Sequence, residues 1–314
     1  MTAILEVHDL VKKYGDNIAV NGVSFDIREG EIFSLLGPNG AGKTTTISVL
    51  STLFPPTSGE ASIGGHSVTG EPMAVRRLIG VVPQELALYD DLSARENLVF
   101  WGQMYNLGGK ALRDRVEEVL GQIGLADRAR EAVKTYSGGM KRRVNIGVGL
   151  LHRPRLLFMD EPTVGIDPQS RRAILDSVKA LNRAGMTVLY TTHYMEEAQE
   201  LSDRVGIIDH GELIALGTQA ELHRQVGEND TVVLQLSEGD DAPALAASIR
   251  TIDGVLQAQA TDRVVTVIAA EAETILAPAI AAAGKAGAKI RSVEIREPDL
   301  EAVFLHLTGR ALRD

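Results

Sequence analysis

The chain contains no cysteine. Disulfides, thiolate nucleophiles and cysteine metal sites are therefore excluded, and the composition fits a reducing compartment. It also lacks long hydrophobic runs. No stretch approaches the roughly 18 apolar residues that a membrane-spanning helix needs. Basic residues are outnumbered, 32 against 42 acidic ones, for a formal net charge of −10. That weighs against a nucleic-acid partner, which favours a basic stripe, but not against a membrane protein met through a protein interface. The opening Met1-Thr2-Ala3-Ile4-Leu5-Glu6 has no basic segment leading into an apolar one, so no secretion signal is expected and the expected location is the cytoplasm. His8, His66, His152, His210, His223 and His306 show no spacing suited to metal ligation and read as structural or exposed.

What is present suits about two domains. A chain of 314 residues with 44% hydrophobic content can build real cores. Short β-type stretches run over 4–7, 23–27 and 32–36. A helix is expected after Lys43, and a turn over 55–59. A buried strand is expected over 80–82, and mostly helical sequence over 93–153, with a helical period in 113–123. Residues 156–160 (Leu-Leu-Phe-Met-Asp) are a buried strand of the kind covered by helices on both faces. Helix 171–183, strand 187–191, helix 195–201 and strand 204–208 follow. This is an α/β layer architecture over residues 1–226, with a helical insertion at about 86–153. Beyond it, 227–314 reads β-α-β-β-α-β, a small α+β ferredoxin-like accessory domain. It ends in a helix with Leu300, Val303, Phe304 and Leu307 on one stripe, Pro298 near its start between Glu297 and Asp299, and Gly309 to stop it.

The most specific local signal is Gly37-Pro38-Asn39-Gly40-Ala41-Gly42-Lys43-Thr44, followed by Thr45. It lies between an apolar strand and a helix, the context that a phosphate-binding loop requires. The glycines allow turns that aim backbone N–H groups at a β-phosphate, and the helix adds its positive end. Lys43 supplies a mobile charge to the β- and γ-phosphates, and Thr44 offers a hydroxyl to Mg²⁺. A chance match is the plain alternative, which the flanking strand and helix disfavour.

Other groups would converge on the same place. Asp160 ends a buried strand, where it can hold Mg²⁺ directly or through water. Glu161 is placed to polarise an attacking water. His193 follows another strand, at the sheet edge where ligands bind, and is a candidate sensor of the γ-phosphate. Gln84, at a third strand end, can reach Mg²⁺ or the water through its amide oxygen. Alone, each would read as a polar boundary or a structural side chain.

Ser137-Gly138-Gly139 opens a second predicted helix, residues 141–150, and makes a second anion site. Its simpler reading is a helix cap with a flexible turn. A chain that already holds one phosphate cradle uses a second if it closes over ATP held by another copy. That gives a head-to-tail homodimer with two ATP molecules at the interface, opened by hydrolysis.

Together these residues, over about 2–225, resemble the ATP-binding subunit of an ABC transporter. The resemblance implies the ABC-type P-loop NTPase fold. It also implies ATPase activity coupled to transport, ATP and Mg²⁺ as cofactors, and a peripheral position on the cytoplasmic face of the membrane. Lys43 and Thr44 match the Walker A residues, Gln84 the Q-loop glutamine, and Ser137, Gly138 and Gly139 the signature. Asp160 and Glu161 match the Walker B aspartate and the catalytic glutamate, Asp167 the D-loop aspartate, and His193 the switch histidine. Tyr14 is similar to the aromatic that stacks on adenine. Tyr136 and Met140 stand where the signature usually has Leu and Gln. That variant, Val164-Gly165 in the D-loop and the tail over 298–309 resemble the branch paired with ABC-2-type transmembrane subunits, including daunorubicin-type drug-resistance exporters. Phe100, Trp101, Met104 and Tyr105 are a candidate contact for such a subunit, with a plain core cluster as the alternative. A soluble ABC ATPase acting on nucleic acid or ribosomes fits less well, because one phosphate loop, no long heptad segment and net negative charge oppose it. A regulatory module with a decayed ATPase is opposed by the intact Lys43, Asp160, Glu161 and His193.

Overall fold

The structure is a computed structural model that describes residues 2–225, 230–296 and 300–308. Packing divides the chain into a unit ending at Thr218 and a second beginning at Gln219.

In the first unit, β1 (Ala3–Tyr14), β2 (Asn17–Arg28), β4 (Ser58–Ile63) and β5 (His66–Ser67) form an antiparallel sheet in the order β2-β1-β4-β5. Here β3 is Ile32–Leu36, and α1, Lys43–Leu50, follows the glycine loop. α2 (Pro72–Leu78) leads into β6 (Ile79–Val82). Three longer helices come next, α3 (Ala94–Met104), α4 (Gly109–Gln122) and α5 (Gly138–Leu150). After them the chain alternates β7 (Leu156–Asp160), α6 (Pro168–Arg183), β8 (Thr187–Thr192), α7 (Met195–Leu201), β9 (Arg204–Asp209) and β10 (Glu212–Gly217).

The second sheet of this unit has the order β10-β9-β3-β8-β7-β6. Its strands are parallel except for the antiparallel edge strand β10. Strands β3, β7, β8 and β9 are buried along their whole length, which is why their sequences do not alternate between apolar and exposed polar residues. Their C-terminal ends lie side by side, so the residues that follow them (Gly37, Glu161, His193 and His210) gather at one edge. The edge where a parallel sheet opens is where such folds bind ligands.

The helical insertion follows from local signals. Ser93 caps α3 by accepting from the Glu96 N–H, and the Glu96 carboxylate reaches back to the Ser93 N–H at 2.8 Å, a capping box. Leu112, Val116, Val119 and Leu120 on α4 pack with Leu98 and with Val144 and Ile146 of α5. The mostly helical stretch is interrupted by single turns at Ala126–Arg128 and Val133–Thr135. Helix α5 starts at Gly138, three residues ahead of the sequence expectation, because Ser137 is its cap. The turn expected over 55–59 is shorter, because β4 already begins at Ser58. Strands β4, β5 and β10 and helix α2 were not anticipated.

The second unit contains α8 (Gln219–Gln225), β11 (Asp230–Leu236), α9 (Ala242–Ile249), β12 (Val255–Thr261), β13 (Val264–Ala269), α10 (Ala272–Lys285), β14 (Ile290–Arg296) and α11 (Leu300–Thr308). Its sheet is antiparallel, in the order β12-β13-β11-β14. Val232, Leu234, Val265 and Val267 meet Leu245, Ile249 and Ile275 in its core. On α11, Leu300, Val303 and Phe304 are buried, and this helix packs on α8. Glu297, Pro298, Asp299 and Gly309 lie outside the described residues. Among the described residues no helix is long and apolar enough to cross a membrane.

Candidate functional site

The glycine loop joins β3 to α1. Gly42 stands immediately before α1 with φ +105°, and a Cβ there would lie 2.5 Å from the Ala19 carbonyl oxygen. A side chain would meet both strain and a clash. Beside the loop is a cavity of about 460 Å³. Tyr14, Asn39, Gly40, Gly42, Lys43, Thr44, Thr45, Gln84 and Glu161 all line it. Tyr14 is exposed there, edge-on to Phe54 at 6.3 Å, with the Lys12 ammonium 5.1 Å from its ring centroid.

Lys43 is buried. Its Nζ donates to the carbonyls of Gly37 at 2.6 Å and Pro38 at 2.9 Å, and lies 2.9 Å from Glu161 Oε1. The other carboxylate oxygen, Oε2, is 3.1 Å from His193 Nδ1. The expected cation, carboxylate and imidazole therefore form one chain of contacts. Glu161 itself has φ +43°, a left-handed backbone that is uncommon for a residue with a Cβ. Its N–H is held by the carbonyl of Thr191 at 3.2 Å and by the Thr191 hydroxyl at 3.0 Å. A sparsely populated conformation persists where the surroundings over-determine it, and such places cluster at functional sites.

Thr191 also donates to Asp160 Oδ1 at 2.7 Å, so one β8 hydroxyl sets both acids. Burial pushes the Asp160 carboxyl above the usual aspartate range and Glu161 adds to this, while hydrogen bonds from Thr191 and Thr44 and the charge of Lys43 oppose it. A buried acid flanked by two hydroxyls and short of positive charge offers the hard oxygen donors that suit Mg²⁺. Raised in the fold, this group takes up protons on folding, so without metal its stability contribution is lost as pH rises from the ordinary aspartate pKa through the folded value. Asp160→Asn is expected to raise the melting temperature by about 2–4 °C in chelator at pH 7. Mg²⁺ with nucleotide is expected to raise the melting temperature of the parent and not that of this variant. Thermal melts with and without Mg²⁺ check both.

Gln84 follows β6, and its backbone is tied to α5. Arg142, buried on that helix, donates to the carbonyls of Pro83 at 2.8 Å and Gln84 at 2.6 Å. Asn145 accepts from the Ala87 N–H at 3.3 Å. The Gln84 loop is thus held by the helix that Ser137 caps. Sequence reasoning missed Arg142 because Lys141-Arg142-Arg143 reads as a solvated charge run. Charge-assisted hydrogen bonds contribute about 1.5–3 kcal/mol each. Arg142→Met is therefore expected to speed amide exchange over 83–87, which hydrogen exchange read by mass spectrometry checks.

Ser137, Gly138, Gly139 and Asp167 are not among the residues lining the Lys43 cavity. Ser137 caps α5 by accepting from the Met140 N–H at 3.3 Å, and Asp167 caps α6 by accepting from the Ser170 N–H at 2.9 Å. The two helix starts abut: a Cβ on Gly139 would lie 2.3 Å from Ser170 Cβ. A hydroxyl that accepts from a backbone N–H keeps its own proton to donate, so capping leaves Ser137 able to serve an anion. The suspected aromatic cluster divides. Trp101 donates to the Ala87 carbonyl at 3.0 Å and packs on the core, whereas Met104 and Tyr105 are exposed. Among the described residues no group of three or more His, Asp or Glu side chains is arranged to hold a metal without other donors.

Residues 20–164 match the family described as ABC transporter. The linearmycin resistance ATP-binding protein of Bacillus subtilis (strain 168) is 47% identical over 99% of this chain and all of its own length. The daunorubicin/doxorubicin resistance ATP-binding protein of Streptomyces peucetius is 40% identical, over the full chain and 94% of its own length. The Nod factor export ATP-binding protein I of Ralstonia nicotianae is 38% identical, over the full chain and 96% of its own length. A solved ATP-binding subunit of an ABC transporter superposes with a TM-score of 0.64 at 32% identity, over 71% of this chain and 93% of its own. A dimeric post-hydrolysis ATP-binding cassette bound to ADP and Pi gives 0.61 at 29% identity, over 68% of this chain and 98% of its own. With the glycine loop, Asp160, Glu161 and His193 at one edge of its parallel sheet, the chain belongs to the ATP-binding proteins of the ABC transporter family.

Proposed function

We propose that this chain hydrolyses ATP to ADP and phosphate and uses the cycle to drive export through a separate ABC-2-type transmembrane subunit. The observation that carries the hydrolytic part is the contact chain Lys43–Glu161–His193 beneath the glycine loop. Export is supported by full-length relatives whose names specify drug resistance or Nod factor export. The place of work is the cytoplasmic face of the membrane.

In this reading the backbone N–H groups of the loop and Lys43 bind the β- and γ-phosphates, and the Tyr14 ring stacks on adenine. Thr44, Asp160 and the Gln84 side chain would hold Mg²⁺, which neutralises charge on the phosphate oxygens when bound. Glu161 orients a water and takes its proton as the water oxygen bonds to the γ-phosphorus. The bond from that phosphorus to the β–γ bridging oxygen breaks, and ADP leaves with the electron pair. His193 meets Glu161 through Nδ1, and with a proton on both ring nitrogens it donates Nε2–H to a γ-phosphate oxygen. Ser137, Gly138, Gly139 and Asp167 act on ATP held by a second copy in a head-to-tail dimer. Their placement away from their own chain's cavity, on two abutting helix starts, supports that assignment. A dimeric post-hydrolysis relative of the cassette supports it too.

Affinity isolation of the full chain from solubilised membranes tests the transport half. A stoichiometric partner with about six apolar spans of roughly 20 residues, whose addition raises ATP turnover, is the expected result. A ribosomal or DNA-binding partner, with turnover raised by nucleic acid, would overturn it.

A further inference from the structure

Behind the site lies a carboxylate that the hydrolytic geometry leaves unused. Glu197, on α7, is 2% exposed. Its Oε2 accepts from the Tyr190 hydroxyl at 2.9 Å and from the Thr192 hydroxyl at 2.9 Å. Thr192 Oγ1 in turn accepts from the Tyr194 N–H at 2.9 Å. One carboxylate oxygen therefore fixes both chain neighbours of His193. Burial, with Glu197 beside it, pushes the Tyr190 hydroxyl well above the ordinary tyrosine range, so Tyr190 stays a donor.

The other oxygen faces α6. Arg171 Nε lies 3.5 Å from Glu197 Oε1, an ion pair without a hydrogen bond. The Arg171 guanidinium sits 4.3 Å from the Tyr194 ring, whose centroid is 4.1 Å from that of His193. Asp167 caps the same helix that carries Arg171. A buried carboxylate is costly unless its oxygens are satisfied. A carboxylate that served only to satisfy Tyr190 would have no need of Thr192 or Arg171.

We propose that Glu197 is a positioning residue for His193: it clamps the backbone on either side of the imidazole and links it, through Arg171, to the helix that begins at Asp167. This rests on the hydrolytic reading above. Glu197 is buried and is not among the residues lining the Lys43 cavity, so its removal acts through His193.

The test uses the full chain with Glu197→Ala, Glu197→Gln and Thr192→Val, each alone and combined with His193→Ala. MgATP turnover is read beside the imidazole nitrogen spectrum, in which the His193 signals are those lost in His193→Ala. Glu197→Ala should lower kcat about tenfold or more with KM for ATP within about threefold, and shift the His193 signals. Glu197→Gln keeps an oxygen for the two hydroxyls and should recover turnover to within about threefold of the parent. In the His193→Ala background the further loss should be under about twofold. Should Glu197→Ala fail to fold, Thr192→Val should show the same non-additivity and the same shift. Losses that multiply in the double variants, or His193 signals that stay put, would overturn the proposal. A parent that binds ATP without hydrolysing it, in which Glu197→Ala still moves the His193 signals, would defeat the hydrolytic reading and leave the positioning role standing.

Discussion

Glu161→Gln is expected to reduce ATP turnover by about 10²–10⁴-fold, the range that a positioned general base contributes, while ATP stays bound. Glutamine keeps the size of the side chain and an oxygen for His193, but it cannot take a proton from water. Its second effect comes from Lys43. In the parent the ammonium is 2.9 Å from Glu161 and holds two loop carbonyls besides. A neutral partner weakens that hold, so Lys43 turns to phosphate at less cost and ATP binds more tightly. Single-turnover hydrolysis and nucleotide affinity, measured on the same preparation, separate the two effects. Equal losses in both would point to a distorted loop rather than a missing base.

Lys43→Ala is the second large change, and it acts on folding and on binding. Both members of the pair are buried. Removing one partner of a buried ion pair costs about 3–5 kcal/mol, because the remaining charge is left without its counter-ion. Here His193 still touches Glu161, so the lower end, about 3 kcal/mol, is expected. ATP affinity should fall about 10²-fold, in line with the loss of charge-assisted bonds to phosphate. The double variant Lys43→Ala with Glu161→Gln removes the uncompensated charge and should recover most of the stability but none of the ATP affinity. Denaturant melts of the four forms give the coupling directly. Additive stability losses would mean that the pair is not what holds Lys43 in place.

These effects trace to residues whose roles were legible in the sequence to different degrees. The strand ending at Asp160 could be read because Leu156 to Met159 is an unbroken apolar run, short enough for a strand buried on both faces. The phosphate loop could be read because Gly42 and Lys43 stand between such a strand and a helix. The left-handed backbone of Glu161 could not, since Glu has no preference for it; the Thr191 carbonyl and hydroxyl, thirty residues away, impose it. Thr191, Arg142 and Glu197 were missed for a shared reason. Each is polar where local pattern predicts solvent or plain strand, and each is satisfied by a partner that only the fold brings near. Strand β4 escaped because Ser58-Gly59-Glu60 is exposed and only Ala61 and Ile63 are buried, which leaves too short an alternation to recognise. The place of Ser137 and Asp167 is a different case. Their motif is plain in the sequence, yet in one chain they cap two helices away from the Lys43 cavity, and their chemistry becomes intelligible only with a second copy.

That second copy is the centre of the account, and the molar mass of Glu161→Gln in solution tests it most directly. Light scattering on the eluting protein, with nucleotide content measured in the same peak, should give one chain without nucleotide. With saturating MgATP it should give twice that mass, carrying one ATP per chain, and Ser137→Arg in the same background should abolish the doubling. A species that binds one ATP per chain yet keeps the mass of a single chain would contradict the head-to-tail clamp.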